Sequence, residues 1–182
     1  MSFRIEEKIA LTPSDMRTLQ ARLISAGMTR LHRPRRIRSV YFETAERALF
    51  LASEEGVLPR MKIRLRTYPE TDERWALERK TSSIEGRFKS TRRLSEMKAG
   101  RYMKRGVMEP SVGFLTPLLT VEYRREYFRY RGERITFDDS LRYAPFESEK
   151  WVDDPWRVVE IKAQFGTSTD HLLGSGLNSA ST

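Results

Sequence analysis

Between residues 60 and 67 the sequence alternates strictly, as Arg60-Met61-Lys62-Ile63-Arg64-Leu65-Arg66-Thr67. Successive side chains of an extended strand point to opposite faces, so Arg60, Lys62, Arg64 and Arg66 form one row and Met61, Ile63, Leu65 and Thr67 the other. A row of cations repels itself unless an anion lies among it, and guanidinium forks match the oxygens of phosphate. The same alternation groups Arg4, Glu6 and Lys8, then Arg74, Glu78 and Lys80, then Val158, Glu160 and Lys162. One charged strand face is ordinarily a solvated face. Repetition of the pattern, with cations in excess and an apolar opposite face, points instead to a polyanionic ligand such as a phosphate chain. The acids among these cations have two readings, as ligands of a divalent ion bridging phosphate oxygens or as ion-pair partners of neighbouring arginines. The metal reading is preferred at Glu160, and both stay open at Glu6 and Glu78.

The composition narrows the chemistry. The 182 residues contain no cysteine and only two histidines, His32 and His171, which excludes disulfides, zinc clusters and thiol nucleophiles. A metal must then be held by carboxylates and substrate oxygens, which suits Mg²⁺ or Mn²⁺. Thirty-four Lys and Arg against 25 Asp and Glu give a formal charge of +9, in keeping with an anionic partner. There is no apolar run near the ~20 residues that span a bilayer and no signal peptide at the start, so a cytoplasmic protein without a membrane span is expected. The length suits one domain, placed at residues 1–165, followed by a weakly structured, Gly- and Ser-rich tail at 166–182 with one helical turn around His171-Leu172-Leu173.

The elements that must position these rows can be read from caps and periodicity. Thr12-Pro13-Ser14-Asp15 reads as a helix start, and Met16, Leu19, Leu23 and Ile24 recur at helical spacing until Gly27. A shorter helix is expected after Thr44 and another from Ser95 to Gly106. Strands are expected at 3–10, 37–42, 61–67, 74–80, 87–94, 120–130, 134–137 and 158–163. About eight strands with amphipathic helices predict an α+β fold, a closed antiparallel eight-stranded β-barrel with a basic lumen and helices covering its outside.

Several pieces of the sequence, in order, resemble the VTC-type polyphosphate polymerase domains of the triphosphate tunnel (CYTH-like) superfamily. They are Arg4-x-Glu6-x-Lys8, Ser39-Val40-Tyr41-Phe42-Glu43-Thr44, Lys62-x-Arg64-x-Arg66, Leu77-Glu78-x-Lys80, Gly86-x-x-Lys89, Val121-x-Tyr123-x-Arg125-x-Tyr127-Phe128, Arg134-Ile135-Thr136-Phe137-Asp138 and Val159-Glu160-Ile161-Lys162. The resemblance spans residues 3–163 and lies in their ordered spacing. It implies a basic antiparallel tunnel that lengthens polyphosphate from ATP with a manganese-type ion. It also implies that Lys8, Arg64, Arg66, Lys80, Lys89, Arg125 and Arg134 are phosphate ligands, joined by Lys62 and Lys162 from the basic rows. Arg64, Arg66, Lys80 and Glu160 are then the catalytic candidates, and Glu160 the metal carboxylate, with Glu6 and Glu78 as further candidates. Two departures stand out: the family's Ser-Lys-rich closing motif has no counterpart after Lys162, and its second basic position after Lys89 aligns with either Arg92 or Arg93. The altered end is expected to change or reduce activity.

Competing motifs are weaker. Gly86-Arg87-Phe88-Lys89-Ser90-Thr91 lacks the glycines of a P-loop. The run Arg33-Pro34-Arg35-Arg36-Ile37-Arg38 is read as an edge or tunnel-mouth charge cluster in preference to a nucleic-acid arm, and Tyr123, Tyr127, Phe128 and Tyr130 as wall packing in preference to base stacking. Three functions stand: a phosphotransferase moving the terminal phosphoryl group of ATP to polyphosphate, a hydrolase of inorganic or nucleoside triphosphate, and a non-catalytic polyphosphate or RNA binder. Polyphosphate or a nucleoside triphosphate is the expected partner, with nucleic acid disfavoured and the oligomeric state open.

Overall fold

A computed structural model describes the backbone of residues 4–70 and 72–164, with side chains described for 6–70 and 74–163. The helical turn and tail expected beyond 165, and Phe3 at the start of the first strand, lie outside the described residues. In chain order the elements are β1 (Arg4–Leu11), α1 (Pro13–Ser25), β2 (Thr29–Glu43), α2 (Ala48–Glu54), β3 (Arg60–Tyr68), β4 (Asp72–Ser83) and β5 (Gly86–Leu94). They continue with α3 (Glu96–Arg105), β6 (Val107–Glu109), β7 (Gly113–Tyr130), β8 (Glu133–Pro145), β9 (Val152–Asp153) and β10 (Arg157–Gln164).

The strands follow the order β1-β10-β8-β7-β2-β3-β4-β5, with β6 on β7 and β9 on β8, and the registered pairs are antiparallel. The closed eight-stranded barrel expected from the sequence is therefore not what forms: among the described residues there are ten strands, and their order ends at β1 and at β5 without returning on itself. A physical reason is visible on β5, whose exposed residues include Arg87, Lys89, Arg92 and Arg93 with no acid among them. Charge of one sign along an edge opposes the addition of another strand.

The described residues fold as two compact units, one built from 4–35, 123–141 and 153–164, the other from 36–122 and 142–152. In the first, Thr12 caps α1 by accepting from the Asp15 amide at 3.2 Å, and Pro13 occupies the first turn, where its missing N–H costs nothing. Met16, Leu19 and Leu23 of α1 bury against Ile9 and Leu11 of β1, Val159 and Ile161 of β10, and Ile135 and Phe137 of β8. The apolar residues of that strand face are thus covered by α1, and the alternate residues point to the other face.

In the second unit the core joins Val40 and Phe42 of β2, Ile63 and Leu65 of β3, and Leu77 of β4 to Leu49 of α2 and Ala99 of α3. The Glu43 carboxylate, 6% exposed, accepts from the Leu49 and Phe50 amides at 2.9 and 2.8 Å, filling donors at the start of α2 that would otherwise be orphaned. Gly106 closes α3 at φ 74°, and a Cβ there would meet the Leu115 carbonyl oxygen at 2.4 Å, so only glycine fits.

Candidate functional site

In the second unit, register decides which side chains meet. Tyr41 of β2 lies opposite Arg64 of β3, which lies opposite Glu78 of β4, which lies opposite Thr91 of β5. Beside this row run Ser39, Arg66, Ala76 and Arg93, and on its other side Lys62, Lys80 and Lys89. The buried core residues Ile63, Leu65 and Leu77 point the other way, as the alternation of 60–67 predicts.

Glu78 is the hub of this face. Arg64 donates to its Oε2 from Nε at 2.8 Å and pairs through Nη2 at 2.7 Å, Arg66 Nη1 lies 3.7 Å from the same oxygen, and Lys89 Nζ donates to Oε1 at 2.7 Å. Burial alone pushes the Glu78 carboxyl up, but the Lys89 hydrogen bond and the Arg64 and Arg66 charges outweigh it and hold the group near 2. Arg64 also donates to the Tyr41 hydroxyl at 2.8 Å, and Arg66 to Ser39 Oγ at 3.3 Å. Three cations thus share one carboxylate, and the exposed Lys62, Lys80 and Lys89 stand directly opposite one another across three strands. Like charges in that arrangement destabilise a sheet.

Arg92 and Arg93 lie on opposite faces of β5. Arg93 lies on the face of Arg66, lining a cavity with it and Glu78. Arg92 is opposite Leu77 and donates to the Tyr102 hydroxyl of α3 at 2.7 Å.

A second constellation lies in the first unit, on the strand face opposite α1. Arg125 of β7 forks onto Asp138 of β8, with Nε and Nη2 each 2.6 Å from a carboxylate oxygen, and its Nη2 lies 3.4 Å from Glu160 Oε2. Lys162 Nζ lies 2.8 Å from Glu160 and 3.6 Å from Glu6. Lys8 stands opposite Glu160, and the exposed Arg134 opposite Lys162. Burial pushes the Glu160 carboxyl up; the Lys162 hydrogen bond and the charges of Arg125, Lys162 and Lys8 bring it down to about 2. Burial pushes Asp138 up as well, and the Arg125 fork does not fully offset it.

The expected site residues therefore fall into two sets. Lys62, Arg64, Arg66, Glu78, Lys80 and Lys89 share one strand face, and Glu6, Lys8, Arg125, Arg134, Glu160 and Lys162 share another. The sequence reading missed Tyr41, Ser39 and Asp138 as members, although each lies inside a quoted motif. It also missed Glu122, 3% exposed, which accepts from Arg38 and, at 2.5 Å, from Arg142 Nη2. The signal was present, since an acid set between Val121 and Tyr123 on a strand invites a search for its arginine. The run 33–38 is part of β2 and not an arm: Ile37 is 1% exposed and Arg35 lies 5.7 Å over the Tyr127 ring.

Among the described residues no group of three or more Asp, Glu or His side chains is arranged to hold a metal. Glu160, paired with Lys162 and Arg125, lies opposite Thr136, whose buried hydroxyl has no hydrogen-bond partner. No described helix is long and apolar enough to cross a membrane.

The fold finds counterparts in known proteins. The sequence matches the VTC domain family over residues 3–179. Among solved structures, a candidate adenylate cyclase from Bacillus halodurans is similar with a TM-score of 0.62 at 17% identity, covering 94% of this chain and 84% of that one. A candidate adenylyl cyclase from Hippeastrum, described as having a dominant triphosphatase activity, gives a TM-score of 0.54 at 15% identity over 90% of this chain and 80% of that one. A third, a candidate adenylate cyclase from Vibrio parahaemolyticus, gives 0.52 at 12% identity over 93% and 80%. At these identities the structures speak to the fold alone. No curated protein matches the sequence. This chain belongs to the VTC domain family.

Proposed function

We propose that this protein is a phosphotransferase that moves the terminal phosphoryl group of ATP onto a polyphosphate chain. The observation that carries this reading is the convergence of Arg64, Arg66 and Lys89 on the single carboxylate of Glu78, beside the opposed row Lys62, Lys80 and Lys89. That face holds more positive charge than its own acids neutralise, and a chain of phosphates supplies closely spaced negative charge that relieves the repulsion. Family membership supports the same substrate class.

In the reaction a terminal oxygen of the acceptor chain attacks the γ-phosphorus of ATP, the bond from that phosphorus to the β–γ bridging oxygen breaks, and ADP leaves. The arginines and lysines bind the non-bridging oxygens and stabilise the charge that develops there. Mg²⁺ or Mn²⁺, held by Glu160 with Glu6 and Thr136 as neighbouring oxygen donors, would supply a Lewis acid for phosphate oxygens. Glu78 serves as the counter-ion that spaces the cations, since its oxygens face three of them. Incubation with ATP and Mn²⁺ tests the reading: growth of a polyphosphate chain with release of ADP is expected. Release of orthophosphate without chain growth would make the protein a triphosphate hydrolase, and no turnover with any divalent ion would leave a phosphate-chain binder.

A further inference from the structure

On the α1 side of the first unit, opposite the Arg125–Asp138 fork, a cavity of about 220 Å³ opens between the start of α1 and strands β7, β8 and β10. Met16 and Phe137 contribute apolar wall, and Arg17, Arg124, Glu126 and Arg157 contribute charge. Two of these are already committed. Glu126 accepts from Gln20 at 2.7 Å and from Arg30 at 3.1 Å, and Arg157 is paired with Asp139. The other two are not. Arg17 is exposed and has no partner among the described residues, and Arg124 reaches only Glu126 Oε1, at 3.9 Å, an oxygen already bound to Arg30.

We propose that this cavity is a second anion site, taking a phosphate-sized mono- or dianion between Arg17 and Arg124. Arg17, with no partner among the described residues, and Arg124, held only by a long 3.9 Å ion pair, put guanidinium forks at the rim of a concave site that match the paired oxygens of a tetrahedral anion. Glu126 and Asp139 oppose a longer, more highly charged chain, which sets this site apart from the face around Glu78. Position gives it a consequence. Arg124 and Arg125 are consecutive in β7, and Asp138 and Asp139 in β8, so each pair sends one side chain to the cavity and the next to the Arg125–Asp138 fork. An anion on Arg124 therefore sits one residue away from the Arg125–Asp138–Glu160 constellation.

Titration of isotope-labelled protein with inorganic phosphate, against sodium chloride at equal ionic strength, tests the site by NMR. Saturable shifts are expected at the amides of residues 14–20 and at the Arg17 and Arg124 side-chain Nε–H signals. In the double variant Arg17→Gln, Arg124→Gln they should need at least tenfold more phosphate, while signals of Arg64 and Arg66 respond as before. Arg17→Lys, which keeps the charge and loses the fork, should weaken binding by less. Absence of shifts at the cavity, shifts that survive in the double variant, or shifts reproduced by chloride would overturn the assignment. Silence at Arg64 and Arg66 with saturable binding at Arg17 would count against the polyphosphate reading and leave this site standing.

Discussion

Glu78 and Glu160 are both held near pH 2, yet they play different parts. Glu78 is enclosed by Arg64, Arg66 and Lys89, so on the proposed function these cations are already gathered around one carboxylate before a phosphate chain binds. Replacing Arg64 and Arg66 together by Ala should abolish polyphosphate binding at about 0.15 M salt, where weaker surface attraction is screened. Calorimetric titration reads this, and an unchanged affinity would remove both residues from the site. Glu160→Gln should lower metal-dependent turnover at least tenfold, about 1.4 kcal/mol of transition-state stabilisation, while polyphosphate binding without metal persists or tightens slightly. Full turnover in that variant would shift the metal role elsewhere. Glu122 offers a separate check through pH. Burial raises its carboxyl, but hydrogen bonds from Arg142 and Arg38 bring it below the ordinary value. Its contribution to stability is thus complete above an unfolded pKa of about 4.3 and lost as the pH falls through the lower folded value. Chemical denaturation at pH 7 and pH 3.5 should show a smaller acid loss in Glu122→Gln than in the wild type.

At the scale of elements, β3, β4 and β5 act as one unit because their register sets cations side by side while Ile63, Leu65 and Leu77 anchor the reverse face. Neighbouring arginines of β5 consequently have unrelated roles. Arg93→Ala should weaken polyphosphate binding severalfold, because it removes a cation from the face of Arg66 and Glu78. Arg92→Ala should leave binding unchanged and loosen α3, where it donates to Tyr102. Affinity together with hydrogen exchange in 96–105 distinguishes the two, and equal binding losses would mean that the register is wrong. The ends of α1 and α3 were legible because capping residues and glycine sit where the helix must start or stop. The N-terminal part of β2 was not, because consecutive arginines hide the alternation on which a strand reading rests.

For the molecule as a whole, the formal charge of +9 makes affinity for any polyanion dependent on salt. Polyphosphate affinity should fall by about tenfold or more between 50 and 200 mM salt, as counterions released from the chain become harder to displace. Relief of the repulsion among Lys62, Lys80 and Lys89 should also appear as thermal stabilisation. Polyphosphate at a hundredfold its Kd should add about 2.7 kcal/mol, seen as a raised Tm that the Arg64→Ala, Arg66→Ala variant lacks. A Tm indifferent to polyphosphate would argue against specific binding.

The sequence by itself determined the two-faced strands, because a period of two in charge and apolarity leaves little freedom in which side is buried: Ile63 and Leu65 went in and Arg64 kept company with acid. It also determined most of the basic residues of both constellations, since their types and spacing survive in the chain without knowledge of partners. Pairing it did not determine. That Glu78 would gather three cations, that Asp138 would take the fork of Arg125, and that Arg93 and not Arg92 would share the face of Arg66 all depend on which residue stands opposite which. Even between consecutive strands, register is set by turns, bulges and core fit together, and the charge pattern of a single strand does not state which residue it will face. The same holds for the strand order ending at β1 and β5 in place of the expected closed barrel: local alternation specifies strands, and tertiary pairing decides how they join.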